Sequence, residues 1–485
     1  MEPIGTITQY FPFLDDTTRN LLQTTMDVSL NYHDFVMNLK ERVLTEDVPE
    51  FAVYFAIHHS ALLLDMDSIQ AIGVKYGKML ILRPNLFYAR VFQGYTEDAE
   101  MVHISSDAIL ATNPPTWFEI ETRFLKFEID LLFYPRVMYD SENLDTLESL
   151  IESSSEFDFF KNFLYDMYRE KASRDGNRKE IELYTDLAIK YAEKHDDIVR
   201  LAYHMRVKSS SLRSHNIREA QKAVMQSKEL MEQLGNRAGV ASSLLYNARL
   251  DATRGEYNLA ISHILEAIEI RESMDLSRGS HATLLASIYN MIGDPRGGLE
   301  WAKYAEADYD NHPGVQIHAI INQIWALILL KRMTEASELM DTIREQILKS
   351  GMDTMLAWFN FVTGLYEIEE GNITSARKSL EDALEIYEDK VALEYGLMFL
   401  FHMAKLDVLE VMHGKKLFPW ITLLESKAQS NELPGIMALV HLLRAQIAIA
   451  QNDEEALRKE VEKLQTLSKN PAMSFLSGRL EHLVT

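Results

Sequence analysis

The chain has no cysteine. That absence removes disulfides, thiolate zinc sites, cysteine-ligated clusters and cysteine nucleophiles in one step, and it fits a reducing compartment. Glycine and proline are scarce, 20 and 12 among 485 residues, which excludes collagen-like and linker-rich chains. Positive charge is in deficit: 49 Lys and Arg stand against 73 Asp and Glu, a formal net charge of −24. Such a field repels phosphate backbones and anionic headgroups, so whole-surface binding to nucleic acid is not expected. No stretch reaches the ~18 consecutive apolar residues of a membrane span. The nearest approaches are broken, 319–330 by Asn322 and Gln323, and 436–450 by His441, Arg444 and Gln446. The start of the chain carries Asp15 and Asp16 and no basic stretch ahead of an apolar run, so no signal peptide is read there and a cytoplasmic location is expected.

What is present is 47% apolar and 25% charged, the balance of an ordered globular chain. Length alone suggests about three domains, unless the chain is a repeat array. Apolar-periodic stretches of about 12 to 18 residues, with almost no strict alternation, predict an all-α fold. A regular period runs through the centre. Turns fall at Gly176-Asn177, His215-Asn216, Gly255-Glu256, Gly293-Asp294, Lys331-Arg332 and Gly371-Asn372, spaced by 39, 40, 38, 38 and 40 residues. Glycine fills four of these six slots, where its overall frequency predicts about 0.25.

Small residues follow the same frame. Five residues after each turn stand Ile181, Ala220, Ala260, Gly298, Ala336 and Ala376, and twelve after stand Ala188, Ser227, Ala267, Ala305, Ile343 and Ala383. Seven residues before the turn come Ala248, Ala286 and Gly364, while Arg169, Lys208 and Ile324 break the rule. Where antiparallel helices cross, a small side chain lets the backbones approach and larger neighbours interdigitate.

A helix, a tight Gly-Asn or Gly-Asp turn and a second helix with small residues at these offsets resembles the tetratricopeptide repeat. The clearest unit is Trp358 to Glu388, with Gly364, Gly371, Ala376, Leu380, Ala383 and Ile386 in the family's slots. The spacing near 39 is similar to the longer-helix variety of kinesin light chains, Rap-type quorum sensors and the effector arm of maltose-regulon activators. The resemblance implies a right-handed α-solenoid, a superhelix of antiparallel helix pairs; a HEAT-like stack, whose period of roughly 40 to 47 also brackets this one, is the alternative. The pattern covers Glu156 to Lys390 well. Upstream, Gly94 with Ala99 and Ser106 fits one unit, and the unit expected near Val137 lacks a turn glycine. Downstream, Gly414 is followed by Pro419 in the first small slot, and Gln451-Asn452-Asp453 with Ala456 gives a partial unit. Pro115-Thr116-Trp117, His312-Pro313-Gly314 and Leu433-Pro434-Gly435 read as repeat junctions. The expected layout is an N-terminal helical cap or accessory region at 1–115, a solenoid at 116–390 and degenerate repeats with a cap at 391–485.

The strings of common enzyme chemistry are missing. Gly293 to Gly298 has the glycine spacing of a phosphate loop without its lysine, and it falls on a repeat turn. Glu100 and His103 make a single Glu-x-x-His where a di-iron bundle needs two. His58 and His59 are adjacent on a helix, so they point about 100° apart and do not face one ion. Asn372-Ile373-Thr374 is a formal glycosylation acceptor on a repeat turn. The 22 methionines and Trp301, Tyr304, Trp325, Trp358 and Phe361 read first as core. No catalytic residue, metal or cofactor is expected.

In the resembling family the first helix of each pair lines the concave face, where peptides bind. Carried over by offset from the turn, the candidates are Met205, Arg206, Ser209 and Arg213, then Ser242, Leu245, Tyr246, Arg249 and Thr253. Next come Thr283, Ser287 and Asn290, then Asn322 and Trp325, then Phe361, Leu365 and Ile368. The path runs from cationic through polar to apolar. Guanidinium forks bind carboxylates and Asn side chains clamp peptide backbones. The expectation is a non-catalytic protein-interaction scaffold that takes an acidic or phosphorylated peptide followed by an apolar anchor. The alternative is a ligand- or peptide-sensing regulatory arm acting in trans.

Overall fold

The computed structural model describes residues 5–63, 65–92, 98–133, 141–174, 177–213, 216–308, 313–350, 353–390, 393–411 and 419–469. Among these residues there are twenty-five α-helices, three short 3-10 turns and no strand. No helix among them is long and apolar enough to cross a membrane. The expected turn residues Gly94, Gly176, His215, His312 and Gly414, and the unit near Val137, lie outside the described residues.

Many joints between helices are only two or three residues long, and the Gly-Asn and Gly-Asp doublets show why. The helix Gly279–Ile292 ends with Gly293 in the left-handed region at φ 89°, and the next amide, Asp294, reaches back to the Tyr289 carbonyl at 2.9 Å. This satisfies a carbonyl that the helix end would leave unpaired. Asp294 then caps the helix Pro295–Ala307, its Oδ1 accepting from the Gly297 amide at 3.1 Å. Gly235-Asn236, Asp196-Asp197 and Asn452-Asp453 are built alike, with backbone closures of 2.9 Å in each. Left-handed residues at 235, 255, 275 and 293 therefore recur about every 20 residues, once per helix. Lys331 takes the same conformation at φ 61°, against the preference of its Cβ. The junction prolines also start helices: Pro434 opens Pro434–Gln451, and the Pro115 carbonyl accepts the first amides of Thr116–Phe133.

The small-residue slots are where helices meet. Ala220, Ala260, Ala336 and Ala376 are fully buried, as are Ala188, Ser227, Ala267, Ala305 and Ala383. A Cβ on Gly364 would stand 2.7 Å from Leu380 Cγ, so the crossing there admits no side chain. The short left-handed joints and small crossings make this a tetratricopeptide-like stack of helix pairs.

The chain forms two compact units: one holds the residues up to Ser211 together with Ala223–Ser243, and the other holds Leu212–Lys222 together with the chain from Leu244 onward. The first unit adds an aromatic core to its small-residue crossings at Ala188 and Ser227. The 3-10 turn Ser155–Phe160 delivers Phe157, Phe159 and Phe160, and the Tyr10 ring meets Phe55, Phe159 and Trp117 edge-on at 5.3, 5.2 and 5.8 Å. The second unit is centred on Trp325, Trp358, Phe361 and Phe399, with Met340, Met398 and Met403 filling between them. Burial of Phe361 and Phe399 contributes roughly 1.5–3 kcal/mol each.

Candidate functional site

In the second unit the first helices of successive pairs lie side by side and present one face each to a shared interior. On Gly279–Ile292 that face is Thr283, Ser287 and Asn290, and on Pro313–Leu329 it is His318, Asn322 and Trp325, both at spacings that stack on one side of a helix. The two rows are hydrogen-bonded in register. Ser287 Oγ donates to Asn322 Oδ1 at 2.9 Å, Asn290 Nδ2 donates to the Asn322 carbonyl at 3.1 Å, and Asn322 Nδ2 donates to the His318 carbonyl at 3.0 Å. Beyond Asn322 the row becomes aromatic. Trp325 meets Phe361 edge-on at 5.1 Å and His402 at 6.0 Å, and His318 lies 4.8 Å from Trp358.

Arg249 stands on Arg237–Arg254, the first helix of the preceding pair, its guanidinium 5.6 Å from the Tyr246 ring. Enclosure, with the Arg249 charge adding to it, pushes the His318 imidazole down to about 3, so it is neutral at physiological pH. Three polar atoms on this interior are buried without a hydrogen-bond partner among the described residues: His318 Nε2, Trp325 Nε1 and Asn290 Oδ1. The interior thus offers an indole donor and an imidazole nitrogen beside a wall of aromatic rings, a set suited to a peptide backbone and a large apolar side chain, while the Asn290 oxygen is turned against Gly298.

The structure unites only some of the residues expected from the sequence. Ser287, Asn290, Asn322 and Trp325 come together as described. Thr283 donates back to the Gly279 carbonyl of its own helix at 2.7 Å. Arg213, Tyr246 and Arg249 belong to the same unit, Arg213 buried and the other two half-buried. Arg206 and Ser209 belong to the first unit, where Arg206 lies over the Tyr203 ring at 5.3 Å and Ser209 is buried. Seven of the ten expected residues are buried: Ser209, Arg213, Thr283, Ser287, Asn290, Asn322 and Trp325.

A second polar constellation, in the first unit, was not singled out from the sequence. Glu121 and Glu128 lie two turns apart on one face of Thr116–Phe133. Glu121 accepts from the Tyr10 hydroxyl and, at 3.4 Å, from the Tyr54 hydroxyl. Glu128 accepts from the Tyr88 hydroxyl at 2.8 Å and faces Arg200 Nη1 at 3.9 Å. The Arg200 guanidinium lies 3.8 Å above the Phe163 ring. Tyr54, Glu121, Glu128, Phe163 and Arg200, with His58 and Asn85, line a cavity of about 30 Å³, room for one or two waters. Burial lifts Glu121 above the usual carboxylate range despite the Tyr10 hydrogen bond and the Arg200 charge. Burial works against the Arg200 charge, but Glu128, Asp197 and Glu121 hold it firmly protonated. Burial and Arg200 together push His58 down to about 4. His59 also sits inside, its Nδ1 sharing a 2.6 Å hydrogen bond with the Tyr32 hydroxyl. The signal for this cluster was a pair of glutamates seven apart between Trp117, Phe118, Phe124 and Phe127; nothing marked Arg200 as their partner. Among the described residues no three His, Asp or Glu side chains converge as metal ligands.

No protein-family model matches the chain, and no curated protein does. Solved structures with similar folds include a Rap protein complexed with competence and sporulation factor, at 14% identity and a TM-score of 0.43 over 68% of this chain and 98% of that one. A STAND signal-transduction ATPase with a tetratricopeptide repeat sensor, from Pyrococcus horikoshii, matches at 13% identity and a TM-score of 0.43 over 83% of this chain and 66% of that one. Naa15/Naa10 bound to HypK-THB matches at 11% identity and a TM-score of 0.25 over 93% and 84%.

Proposed function

We propose that the chain is a non-catalytic interaction scaffold, binding an extended segment of a partner on the inner face of the second unit. The observation that carries this reading is the row Ser287, Asn290, Asn322 and Trp325, in which enclosed polar atoms are left without protein partners beside an aromatic wall. A buried donor or acceptor without a partner costs on the order of 1–3 kcal/mol, which a bound peptide amide would recover. In this reading Arg249 takes an acidic side chain or phosphate, Trp325 Nε1 and His318 Nε2 meet the peptide backbone, and Trp325, Trp358 and Phe361 receive an apolar anchor. The region 1–115 serves as a cap or accessory module, 116–390 as the working solenoid and 391–485 as its closing end.

The test is selection from a phage-displayed dodecamer library on the full chain. The expected outcome is enrichment of peptides carrying an acidic residue near Leu, Phe or Trp, with at least tenfold weaker binding to Arg249→Glu at unchanged helicity. Absence of enrichment, or equal binding by Arg249→Glu, overturns the proposal. A regulatory variant of the same reading, a peptide-sensing arm acting in trans, is favoured by the depth at which Asn322 and Trp325 lie, since a ligand that reaches them must move helices apart.

A further inference from the structure

In a stack of repeats each pair touches its neighbours, so close contacts join residues about one period apart in sequence. One place in the second unit departs from this. Arg218, at the start of Ile217–Gln233, forms an ion pair with Glu432, 214 residues away. Beside it the backbones of Gly255 and Gly435 are in direct contact. A Cβ on Gly255 would stand 2.6 Å from Gly435 Cα and 2.7 Å from its carbonyl carbon, and one on Gly435 would stand 2.5 Å from the Arg254 carbonyl oxygen. Gly371, in the equivalent turn of a later repeat, has nothing within 4 Å of the same position. Both turns use glycine for the left-handed backbone, but only at Gly255 must the side chain also be absent for something to dock. Glu432 is itself left-handed at φ 53°, and Leu433 beside it is buried. The turn 431–435 is thus shaped to sit on two successive repeat turns at the opposite end of its unit.

We infer that this contact is a latch that closes the second unit over its inner face and sets access to it. The inference rests on the proposed function above and adds its regulation. Two features make the contact the place where the unit opens. The ion pair is exposed, with 75% and 63% of the two side chains accessible, so it is weak and screened by salt. The glycine contact is backbone against backbone, whereas the interfaces between repeats are closed by fully buried residues such as Ala260, Ala336, Ala376 and Ala383. Under thermal motion or an entering ligand, the end-to-end contact parts before any repeat interface does. The row from Arg249 to Trp325 then becomes reachable.

The absence of cysteine permits a direct test on the full chain. Spin labels on Lys222→Cys and Gln429→Cys, both exposed and on the two helices flanking the contact, report its opening by double electron–electron resonance. The expected result is a dominant short distance in the parent that shifts to longer, broader values in Glu432→Arg and in Gly435→Val. Arg218→Glu combined with Glu432→Arg should restore the short distance, which keeps the test valid if Gly435→Val fails to fold. High salt should lengthen the parent distance. An unchanged single short distance in Glu432→Arg at high salt overturns the latch.

Access is tested separately with the selected dodecamers and a bis-methanethiosulfonate bridge between Arg218→Cys and Glu432→Cys. Bridging should slow peptide association at least tenfold, with recovery on adding reductant. Equal association rates with and without the bridge overturn the gating role. If the distances shift as expected but no form of the chain selects peptides, the latch stands and the peptide-scaffold reading falls.

Discussion

Gly298 lies directly against the Asn290 carboxamide: a methyl group there would overlap Oδ1 and come 2.7 Å from Cγ. The slot that lets two helices cross therefore also positions the side chain that holds Asn322. Gly298→Ala should destabilise the protein by about 1–3 kcal/mol through overpacking, although alanine is the better helix former. Gly396, also helical, has nothing within 4 Å of its Cβ position, and Gly396→Ala should stabilise by about 0.5–1 kcal/mol. Urea denaturation midpoints of the two variants should move in opposite directions; a shift of the same sign would show that the Asn290 contact is unimportant.

Lys331 holds the left-handed slot that glycine fills in the flanking repeats, and its ammonium pairs near the surface with Glu369. Lys331→Gly should raise stability by roughly 1 kcal/mol, because relief of Cβ strain outweighs the lost surface pair and the added freedom of the unfolded chain. A lower melting temperature would mean that the pair with Glu369 matters more than the backbone.

Acid should unfold the protein at pH values where most side chains have not begun to titrate. The imidazoles of His58 and His204 are held at about 4, and that of His318 at about 3, all primarily by burial. These values lie below the ordinary 6.5, so between them the unfolded chain binds more protons than the folded one. Stability is then complete above 6.5 and falls as the pH drops, by up to about 1.4 kcal/mol per pH unit for each histidine. Glu121, raised by burial, acts in the opposite sense from the ordinary carboxylate value upward and offsets part of this loss. Denaturation midpoints at pH 7, 6 and 5 check this, and a flat profile contradicts it. His318→Asn should reduce the slope.

Arg200 is the cation facing Glu121 and Glu128 in the first unit. Arg200→Met should cost about 2–4 kcal/mol by leaving carboxylates in the interior without their countercharge, somewhat less than for a fully enclosed pair because Glu128 keeps some contact with water. Adding Glu128→Gln should recover part of the loss. A double-mutant cycle in denaturant measures the coupling, and strictly additive effects would mean that the two groups do not interact.

The period, the joints and the crossings were legible in the sequence because each is local: a left-handed residue, a cap and a small side chain sit within one helix pair. The inner row was legible by offset for the same reason, so Ser287, Asn290 and Asn322 fall on one patch. Their burial was not, because it depends on how closely successive helix pairs pack, and a contact such as Gly255 with Gly435 has no periodic signature. The Glu121 and Arg200 cluster was hidden for a related reason. It assembles Tyr10, Tyr54, Glu121 and Arg200 from four separate stretches, and each alone reads as an ordinary polar residue near aromatics.

The two- and three-residue joints leave the chain little slack. One residue inserted near the start of Pro295–Ala307 turns the rest of that helix by about 100°, taking Ala302 and Ala305 off the packed face and putting the bulky Trp301 and Tyr304 in their places. One residue inserted between Gly293 and Asp294 separates the amide that closes one helix from the carboxylate that caps the next. A whole helix pair is then the smallest length by which this chain can grow while every crossing keeps its partner.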